Sequence, residues 1–539
     1  MTPDGFSASA DAFGEQPSNA QLSHARWNDG DAWRNVIATA ALGVGSSTLR
    51  SRFASRGPGG FGLLPVRSTR LPSLSGRLLV TNEAGEFALL TEAEHAALLD
   101  GTLPRGTAAY DALLARHMIH EGQVAVPLRL LATKLRTKKA FVLEGPSLHI
   151  MVPTLRCDHS CGYCQVSRRR MDEAGYDMSP THALAAVDRI LESPAKALTV
   201  EFQGGEPLLA FDVIQRVTEE VTRRAAGRSV TFSMTSTLHH LTPEIAAFLR
   251  DHAFQLSASI DGPAAVHDSN RPVPGGNSLA KTLQGVALAR EVLGPANVAA
   301  ITTVTRSGLE QPEAMVNALV SLGFRSLFLR SVSPFGFAVR SARRTGYDMA
   351  AFLAFYERAL RRILELNRGG LAVEEAYAAV LLRHMLTPFH SGYLDLRSPA
   401  GAGLGVLVYD HDGSVYASDE GRMLGATGDP TFRLGAVTEP LAQLMASAAM
   451  ETLARGGVAE EQPGCRDCAL VPWCGSDPVH HHATAGDVAA DRLSSDFCQR
   501  HMGLFDLLLG LLEHGDAATR DVLLSWATRR WGTDGAPLA

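Results

Sequence analysis

The sequence predicts an α/β fold whose centre is a partial (β/α)6 barrel. Between residues 147 and 366, short apolar or alternating runs are each followed by a segment with apolar residues at helical spacing. The predicted strands are Leu148–Leu155, Leu198–Gln203, Val230–Thr235, Leu256–Asp261, Val298–Thr305 and Ser326–Ser331. This repetition indicates a parallel sheet covered by helices, and six units fall short of a closed eight-stranded barrel.

Length and composition narrow the class of protein further. The 539 residues suffice for three or four domains, and 45% of them are hydrophobic, so large cores can form. The net charge of −6 argues against a nucleic-acid partner, which would require a basic surface. No apolar run approaches the roughly 20 residues that cross a bilayer, and Val36–Val44 does not resemble a signal peptide. We therefore expect a cytoplasmic protein without a membrane partner.

Two regions precede the barrel. Residues 1–60 are rich in Ala, Ser, Gly and Asp and are predicted to be disordered. Residues 61–145 are predicted to form a small winged-helix-like α+β domain. Its elements are a hairpin, Arg77–Thr81 with Glu86–Leu90, a helix that begins at the capping box Thr91-Glu92-Ala93-Glu94, and a second helix over Thr107–Ile119.

The barrel, residues 146–345, is followed by three further regions. Residues 346–395 are predicted to be a helical linker. Residues 396–500 are rich in Gly, Asp and Cys with little long periodicity, which is typical of a domain organised by metal rather than by a large apolar core. Residues 501–539 are predicted to be C-terminal helices, with a helical pair over Leu504–Trp531.

The seven cysteines fall into two groups, and none occurs before residue 157. The first group is Cys157, Cys161 and Cys164, and the second is Cys465, Cys468, Cys474 and Cys498. A disulfide framework would spread pairs along the chain, and cytosolic thiols stay reduced. Both groups are therefore interpreted as metal ligands.

The first group supplies three thiolates from one tight loop. A structural zinc site needs four ligands, and only His159, inside the loop, is nearby. A four-iron cluster held by three cysteines instead leaves one iron open. That iron can chelate the amino and carboxylate groups of S-adenosylmethionine (SAM), and one electron then releases a 5′-deoxyadenosyl radical.

Three motifs follow predicted strands where the chemistry of such barrels is located. The cysteine trio follows the first strand, Gly204-Gly205-Glu206-Pro207 ends the second, and Asp261-Gly262-Pro263 ends the fourth. Together these motifs resemble the radical SAM superfamily over residues 147–345. The resemblance implies that Gly204, Gly205 and Glu206 receive the SAM amino group, that Gln203 and Asp261 bind ribose hydroxyls, that Arg271 faces the methionine carboxylate, and that Tyr163 lies beside the adenine.

The second cysteine group can hold one zinc ion or one four-iron cluster, and its spacing favours neither. The segment resembles the SPASM domain, which implies an auxiliary [4Fe–4S] cluster. Where that family carries three more cysteines, this chain has Ala400, Ser418 and Asp477. We therefore expect one auxiliary cluster and two clusters in all. The run His480-His481-His482 is expected on the surface.

Several stretches resemble a narrower group, the B-type His-Xaa-Ser system radical SAM maturase, over residues 60–500. These stretches are residues 144–150, 164–168, 335–338, 393–399 and 419–423. The resemblance implies a ribosomally made precursor peptide as substrate, an external electron donor and a paired second maturase. Asp419 lies where sulfatase-maturing relatives place a catalytic base, although an Asp in such a loop is more often a turn residue.

Alternatives to the peptide-modifying enzyme remain open. The chain could be an inactive partner that presents peptide to the second maturase, or a formylglycine-type oxidising enzyme. Gly204–Glu206, Asp261 and Arg271 favour an enzyme, because a scaffold needs no SAM pocket. The winged-helix-like domain either holds a leader peptide at a sheet edge or caps the barrel.

Overall fold

The computed structural model describes residues 60–528 together with 530, 531, 537 and 538. The prediction of disorder over residues 1–60 falls outside the described residues except at Gly60. Within the described ranges, no helix has the length and apolar character needed to cross a membrane.

The N-terminal region is built on a three-stranded antiparallel sheet of order β2-β3-β4 and a separate short pair, β1 with β5. Its elements are β1 (Gly62–Leu63), β2 (Val66–Arg70), β3 (Arg77–Asn82), β4 (Phe87–Thr91), α1 (Glu92–Leu99), α2 (Ala108–Ala115), β5 (Ile119–His120) and α3 (Ala125–Lys138). The predicted capping box is present, because Thr91 Oγ1 accepts from the Glu94 backbone and Glu94 Oε2 accepts from the Thr91 backbone. The helix predicted over Thr107–Ile119 is shorter, since Ile119 joins a strand. β2 and α3 were not predicted.

The central region contains all six predicted strands, paired in parallel and in chain order. These strands are β6 (Leu148–Met151), β7 (Ala197–Phe202), β8 (Ser229–Ser236), β9 (Gln255–Ser259), β10 (Val298–Val304) and β11 (Ser326–Ser331). The intervening helices are α4 (Pro180–Glu192), α5 (Phe211–Arg224), α6 (Pro243–Asp251), α7 (Ala264–Asn270), α8 (Ser278–Leu293) and α9 (Pro312–Ser321). The carboxyl ends of the six strands therefore meet at one edge of the sheet.

The sheet continues beyond the six predicted strands at both ends. After α10 (Phe337–Thr345) and α11 (Met349–Arg368), β12 (Glu374–Glu375) pairs in parallel with β11, and α12 (Ala376–Leu386) follows. At the other end β13 (Val406–Tyr409) pairs in parallel with β6, and β14 (Ser414–Tyr416) and β15 (Arg433–Ala436) extend the sheet antiparallel. The result is one ten-stranded sheet that runs through the predicted boundary at residue 396.

Residues 396–500 contain regular structure beside the second cysteine group. Besides β13–β15, this region and the C-terminus contain α13 (Asp419–Gly425), α14 (Leu441–Met445), α15 (Ala448–Gly457), α16 (Pro478–Ala485), α17 (Asp496–His514), α18 (Ala517–Thr528) and the short pair β16 (Arg530–Trp531) with β17 (Pro537–Leu538). The region also has an apolar core. Trp473 is fully buried between Phe87 and Phe505, and its Nε1 donates to the Gly85 carbonyl at 2.9 Å.

Candidate active site

The first cysteine group lies on the loop that leaves β6. The backbone N–H of Cys157 donates to the Arg169 carbonyl at 3.0 Å, and the N–H of Cys164 donates to the Cys161 carbonyl at 3.2 Å, so the loop closes on itself. All three thiols are free and partly exposed. Burial raises the pKa of Cys157 well above its ordinary value and that of Cys161 to about 12. A cationic metal centre would favour the thiolate forms of Cys157 and Cys161.

The neighbouring polar residues decide which centre these thiols fit. Ligand atoms of Cys157, Asp158 and His159 lie within 4.8 Å of one another. However, His159 Nδ1 is 2.7 Å from Asp158 Oδ1 and its Nε2 is 2.9 Å from Ser278 Oγ, so both ring nitrogens are engaged. Without His159 the loop offers three sulfur ligands. Three thiolates suit a four-iron cluster with one open iron better than a four-coordinate zinc ion.

The two glycines after β7 bring the chain against the segment that leads into the cysteine loop. Gly204 has φ +136°, and a Cβ on it would lie 2.5 Å from the Thr154 carbonyl oxygen. A Cβ on Gly205 would lie 2.1 Å from the Arg156 carbonyl oxygen, which is a clash. The N–H groups of Gly205 and Glu206 donate to the carbonyls of Thr154 and Arg156 at 2.9 and 2.8 Å. Glycine is therefore required here for contact between two backbones.

The Glu206 carboxylate is fully buried and accepts four hydrogen bonds. Oε1 accepts from Ser236 Oγ at 2.6 Å and from the Leu208 N–H at 3.2 Å. Oε2 accepts from the Thr237 N–H at 2.9 Å and from its hydroxyl at 2.7 Å. Glu206 thus ties the end of β7 to the end of β8.

Asp261, Arg271 and Tyr163 form one buried cluster at the end of β9. Arg271 binds Asp261 through Nε to Oδ2 and Nη2 to Oδ1, both at 3.0 Å, and Tyr163 Oη donates to Oδ2 at 2.5 Å. The Thr303 N–H adds a bond to Oδ1 at 3.1 Å. The Arg271 guanidinium lies 5.4 Å from the centre of the Tyr163 ring. The structure therefore brings together three residues that are 98 and 10 positions apart in sequence.

A cavity of about 680 Å³ lies between the barrel strands and the C-terminal region. Gln203 lines it from β7, and Ser418 and Asp419 line it from the start of α13. Asp419 is 9% exposed, and its Oδ1 accepts from Arg422 Nε at 3.1 Å. A cavity of this size can enclose a small ligand or a peptide side chain.

Carboxylates outnumber cations in the wall of this cavity. The acidic residues that line it are Glu201, Asp395, Asp419, Glu420, Asp477 and Asp496, and the arginines are Arg330 and Arg500. Burial and the neighbouring Asp419 raise the pKa of Glu201 to about 7, against the opposing effect of Arg330. Burial and the charge of Asp395 raise the pKa of Glu420 to about 8. The cavity therefore favours groups that carry positive charge or donate hydrogen bonds.

Residues 151–319 match the family model described as the radical SAM superfamily. The matched segment begins at the end of β6, includes the cysteine loop, Gly204–Glu206, Asp261 and Arg271, and ends in α9. The chain carries a radical SAM domain. Enzymes with this domain use SAM and a [4Fe–4S] cluster, and these are the cofactors of this enzyme. Held by the cysteine loop, such a cluster would supply the electron for cleavage of SAM to a 5′-deoxyadenosyl radical.

Three relatives illustrate the extent of the likeness. An uncharacterized protein of Methanocaldococcus jannaschii is 25% identical over 194 residues, which span 36% of this chain and 65% of that protein. A serine-type anaerobic sulfatase-maturating enzyme of Klebsiella aerogenes is 25% identical over 358 residues, 63% of this chain and 82% of that enzyme. The solved structure titled native anSMEcpe with bound AdoMet and Cp18Cys peptide has a TM-score of 0.58 at 17% identity and spans 70% of this chain and 99% of its own. This structural likeness shows the fold.

Some residues that line the cavity were not indicated by sequence motifs. Glu201 and Arg330 point to the cavity from β7 and β11, and Glu420 and Arg500 reach it from the C-terminal region. Glu201 interrupts the apolar run Leu198–Phe202, and this interruption could have indicated a functional residue, because burying a carboxylate in a strand costs free energy. The residues from the C-terminal region carry no comparable signal.

The second cysteine group gathers at the start of α17. The N–H of Cys468 donates to the Cys465 carbonyl at 3.0 Å, and that of Cys498 donates to Ser495 Oγ at 3.1 Å. Burial, and then the sulfurs of the other three cysteines, raise the pKa of Cys474 well above its ordinary value. Among the described residues, no three of these sulfur atoms lie within 4.8 Å of one another. A tetrahedral zinc site would bring them to about 3.8 Å of one another, given zinc–sulfur bonds of about 2.3 Å.

The positions of the expected extra cysteines have structural roles. Ser418 and Asp477 are helix N-caps: Ser418 Oγ accepts from the Gly421 N–H at 3.1 Å, and Asp477 Oδ1 accepts from the His480 N–H at 3.0 Å. Ala400 is buried, and its N–H donates to the Gly457 carbonyl at 2.8 Å. All three line the cavity.

The prediction that the histidine run lies on the surface is wrong for two of its members. His480 is 8% and His481 is 1% exposed, because both pack on Phe497. Burial lowers the pKa of His480 to about 4 and that of His481 to about 3. His482 is partly exposed, and its Nε2 is 2.7 Å from Asp429.

Proposed function

We propose that this enzyme modifies side chains of a ribosomally made precursor peptide of the His-Xaa-Ser type, most simply by crosslinking them. Cys157, Cys161 and Cys164 are the proposed ligands of the SAM-binding cluster. The observation that carries the proposal is the cavity between the barrel and the C-terminal region. Gln203, one of the proposed SAM-binding residues, lines this cavity, and the acidic wall of the cavity suits the imidazole of a histidine or another basic side chain.

The proposed SAM pocket divides into groups that contact the ligand and groups that position them. The side chain of Gln203 lines the cavity, and Arg271, which is bound to Asp261, is the proposed positive charge for a carboxylate. The carboxylates of Glu206 and Asp261 are each saturated by protein donors. We propose that they contribute chiefly by fixing the Gly204–Gly205 turn and the orientation of Arg271 and Tyr163.

Cys465, Cys468, Cys474 and Cys498 are the proposed ligands of one auxiliary [4Fe–4S] cluster. Four free thiols near one another support this assignment. The cavity wall at Ala400, Ser418 and Asp477 supports the proposed absence of a second auxiliary cluster, because Ala400 has no ligand atom and the other two cap helices.

Asp419 is a proposed base beside the substrate. Its exposure to the cavity supports this role, and its bond to Arg422 sets its orientation. Asp419→Asn keeps the size of the side chain and removes the base, so turnover should fall while SAM binding stays unchanged. Full turnover of the variant would exclude the role.

The first experiment is anaerobic reconstitution with iron and sulfide, followed by an assay for 5′-deoxyadenosine with dithionite and SAM. Formation of 5′-deoxyadenosine, followed by a mass change in a co-expressed His-Xaa-Ser peptide, supports the proposal. If iron is bound and SAM is not cleaved even with peptide present, the chain is instead a peptide-presenting partner of a second maturase.

A formylglycine-type activity is the second candidate, because the Klebsiella aerogenes relative is named for sulfatase maturation. A hydrazide probe separates the two outcomes, since it labels the aldehyde of formylglycine and leaves a crosslink unlabelled. The proposed partners are the precursor peptide, an external electron donor and a paired second maturase, in the cytoplasm.

The N-terminal region is proposed to hold the leader peptide at the edge of the β2-β3-β4 sheet. Simple deletion of this region would not test the idea cleanly. Thr81 Oγ1 donates to the Ala469 carbonyl at 2.7 Å, and Gly85 accepts from Trp473, so deletion exposes the segment that carries Cys468 and Cys474. A Pro substitution at Ser68 in the edge strand β2 disturbs pairing more locally.

A further inference from the structure

Helix α10 (Phe337–Thr345) lies directly against the cysteine loop. The Phe337 N–H donates to the Cys164 carbonyl at 2.8 Å, and Ser341 Oγ donates to the Gly162 carbonyl at 2.5 Å. A Cβ placed on Gly162 would lie 2.3 Å from Arg344 Nη2. This helix is therefore the part of the protein surface that covers the loop between Cys161 and Cys164.

The exposed surface of this helix carries three arginines, of which Arg344 also extends over Gly162 of the cysteine loop. Arg340, Arg343 and Arg344 are exposed and stand at i, i+3 and i+4, which places them on neighbouring positions of one face. Across the described residues, none of the three has a carboxylate oxygen within 4.0 Å. Val339, next to them, is 58% exposed. We call Arg340, Arg343 and Arg344 the arginine face.

The three arginines of α11 at the same spacing are arranged differently. Arg358, Arg361 and Arg362 stand on α11 at the same i, i+3, i+4 spacing, and Glu313, Glu357 and Glu365 pair with them in that order. The chain as a whole has a net charge of −6. A concentration of unpaired positive charge beside the cysteine loop is therefore a local feature that matches an acidic partner.

The reaction needs an electron from outside the chain to begin. Each SAM cleavage takes up one electron, and crosslinking releases one again when the substrate radical loses a proton and an electron to close the new bond. Electron transfer from a carrier is fastest through the shortest path to the cluster. Transient electron-transfer complexes use small interfaces, below about 1,200 Å² in total, and depend on charge complementarity for fast association. A face of three arginines fits that description.

We propose that the arginine face is the docking surface for an acidic, low-potential one-electron carrier protein. The inference rests on the proposed ligation of the cluster by Cys157, Cys161 and Cys164. The docked carrier is oxidised by one electron and the cluster is reduced by one. No bond forms or breaks in this step. Ala338, Val339 and Ala342 of the same helix line the substrate cavity, and none of the three arginines does, so the carrier and the peptide use different sides of α10.

The test compares two double variants with the wild-type holoenzyme. R340Q/R343Q removes two unpaired charges and leaves Arg344 against Gly162. R358Q/R361Q is the matched control, because it removes the same charge at the same spacing from α11. A purified flavodoxin serves as the acidic carrier. Its dissociation constant is measured by fluorescence anisotropy at two salt concentrations, and 5′-deoxyadenosine formation is measured with reduced flavodoxin and with dithionite.

We expect R340Q/R343Q to weaken flavodoxin binding by about tenfold at low salt, with an equal loss of flavodoxin-driven rate at low carrier concentration. The dithionite-driven rate should stay unchanged, and R358Q/R361Q should behave as wild type. Wild-type binding should weaken as salt rises. The proposal is overturned if R340Q/R343Q binds flavodoxin as wild type does, or if both reductants lose rate together.

Two further outcomes separate this proposal from others. If R340Q/R343Q weakens binding of the precursor peptide and leaves flavodoxin binding intact, the arginine face recognises the substrate and the docking proposal is wrong. If the wild-type enzyme forms no 5′-deoxyadenosine even with dithionite, the proposed function fails, while the binding measurement still decides whether the arginine face holds an acidic carrier.

Discussion

The buried pair of Asp261 and Arg271 is the residue-scale feature on which the candidate SAM pocket depends most. Asp261 is fully buried and satisfies Arg271 and Tyr163 at once. Removing one member of a buried ion pair leaves the other charge without compensation, which typically costs 3–5 kcal/mol. The pair therefore links the stability of the barrel to the orientation of Arg271.

Asp261→Asn should lower the free energy of unfolding by about 3 kcal/mol, because a neutral amide cannot compensate the buried guanidinium. The measurement is urea unfolding followed by circular dichroism. Asp172→Asn is the control: Asp172 pairs with Arg170 at the surface, both side chains are well exposed, and its unfolding midpoint should match wild type. Equal midpoints for both variants would contradict the structural role of Asp261.

Glu201 gives the enzyme a pH dependence with a definite sign. Its folded-state pKa of about 7 lies above the ordinary value of about 4.3, so the folded chain binds more protons than the unfolded chain between these values. The stability contributed by Glu201 is therefore greatest at low pH and falls as pH rises through about 7.

Glu201→Gln should raise the thermal midpoint at pH 8 and leave it close to wild type at pH 4, because the amide cannot ionise. Differential scanning fluorimetry across this range measures the difference. Glu219→Gln, an exposed position on α5, is the control and should give parallel curves at both pH values. A loss of stability at pH 8 would show that ionised Glu201 has a favourable partner.

At the scale of elements, the candidate site depends on contacts between loops that end different strands. The Gly204–Gly205 turn after β7 is bonded to the segment after β6, and Arg422 of α13 extends toward the Val166 carbonyl after the cysteine loop. Arg422 is fully buried and also binds Asp419. The cysteine loop is thus fixed from the barrel on one side and from the C-terminal region on the other.

Gly205→Ala should prevent assembly of the cluster at the cysteine loop, because its methyl group would lie 2.1 Å from the Arg156 carbonyl oxygen. Iron bound by this variant should fall by about half, since only the auxiliary site remains. Gly457→Ala is the matched control: its nearest contact is Ala400 Cβ at 3.6 Å, an ordinary packing distance. Full iron content in Gly205→Ala would refute the role of the turn.

The elements differ in how far their sequence revealed them. The six barrel strands and their order were predictable, because apolar runs and helical spacing alternate along the chain. β12 and β13 were not, since two- and four-residue strands give too short a pattern and their partners are distant in sequence. The burial of His480 and His481 depends on Phe497, a tertiary contact, although Asp477-Pro478 is a readable helix start.

The residues of the candidate site also differ in how far the sequence indicated them. Cysteine spacing and strand-end motifs indicated the residues around the cysteine loop, because each motif is local. The carboxylates from the C-terminal region, Asp395 and Glu420, meet Glu201 only through the fold. Acidic residues in Gly-rich segments are common at the surface, so no local pattern distinguishes these two.

At the scale of the whole molecule, the proposed iron content is a direct consequence of the two cysteine groups. Reconstituted wild-type enzyme should bind about eight irons, four in each of two clusters. Cys157→Ala and Cys465→Ala should each retain about four. Cys465→Ala should keep the change in the electron paramagnetic resonance spectrum on addition of SAM, and Cys157→Ala should lose it. A wild-type value near twelve would show that a third cluster is present.

The parallel pairing of β13 with β6 has a consequence for folding during synthesis on the ribosome. Val406 pairs with Leu148 at one end and Tyr409 with Met151 at the other, so paired residues lie 258 positions apart in the sequence (406 − 148 = 258). At about 5–20 residues per second, a ribosome needs on the order of 10–50 s to synthesise that interval. Throughout this time the strand preceding the cysteine loop has one unpaired edge, which is a site for wrong pairing between nascent chains. Expression of this enzyme should therefore benefit from chaperones that hold early barrel intermediates, and truncation before residue 409 should yield aggregates rather than a free barrel.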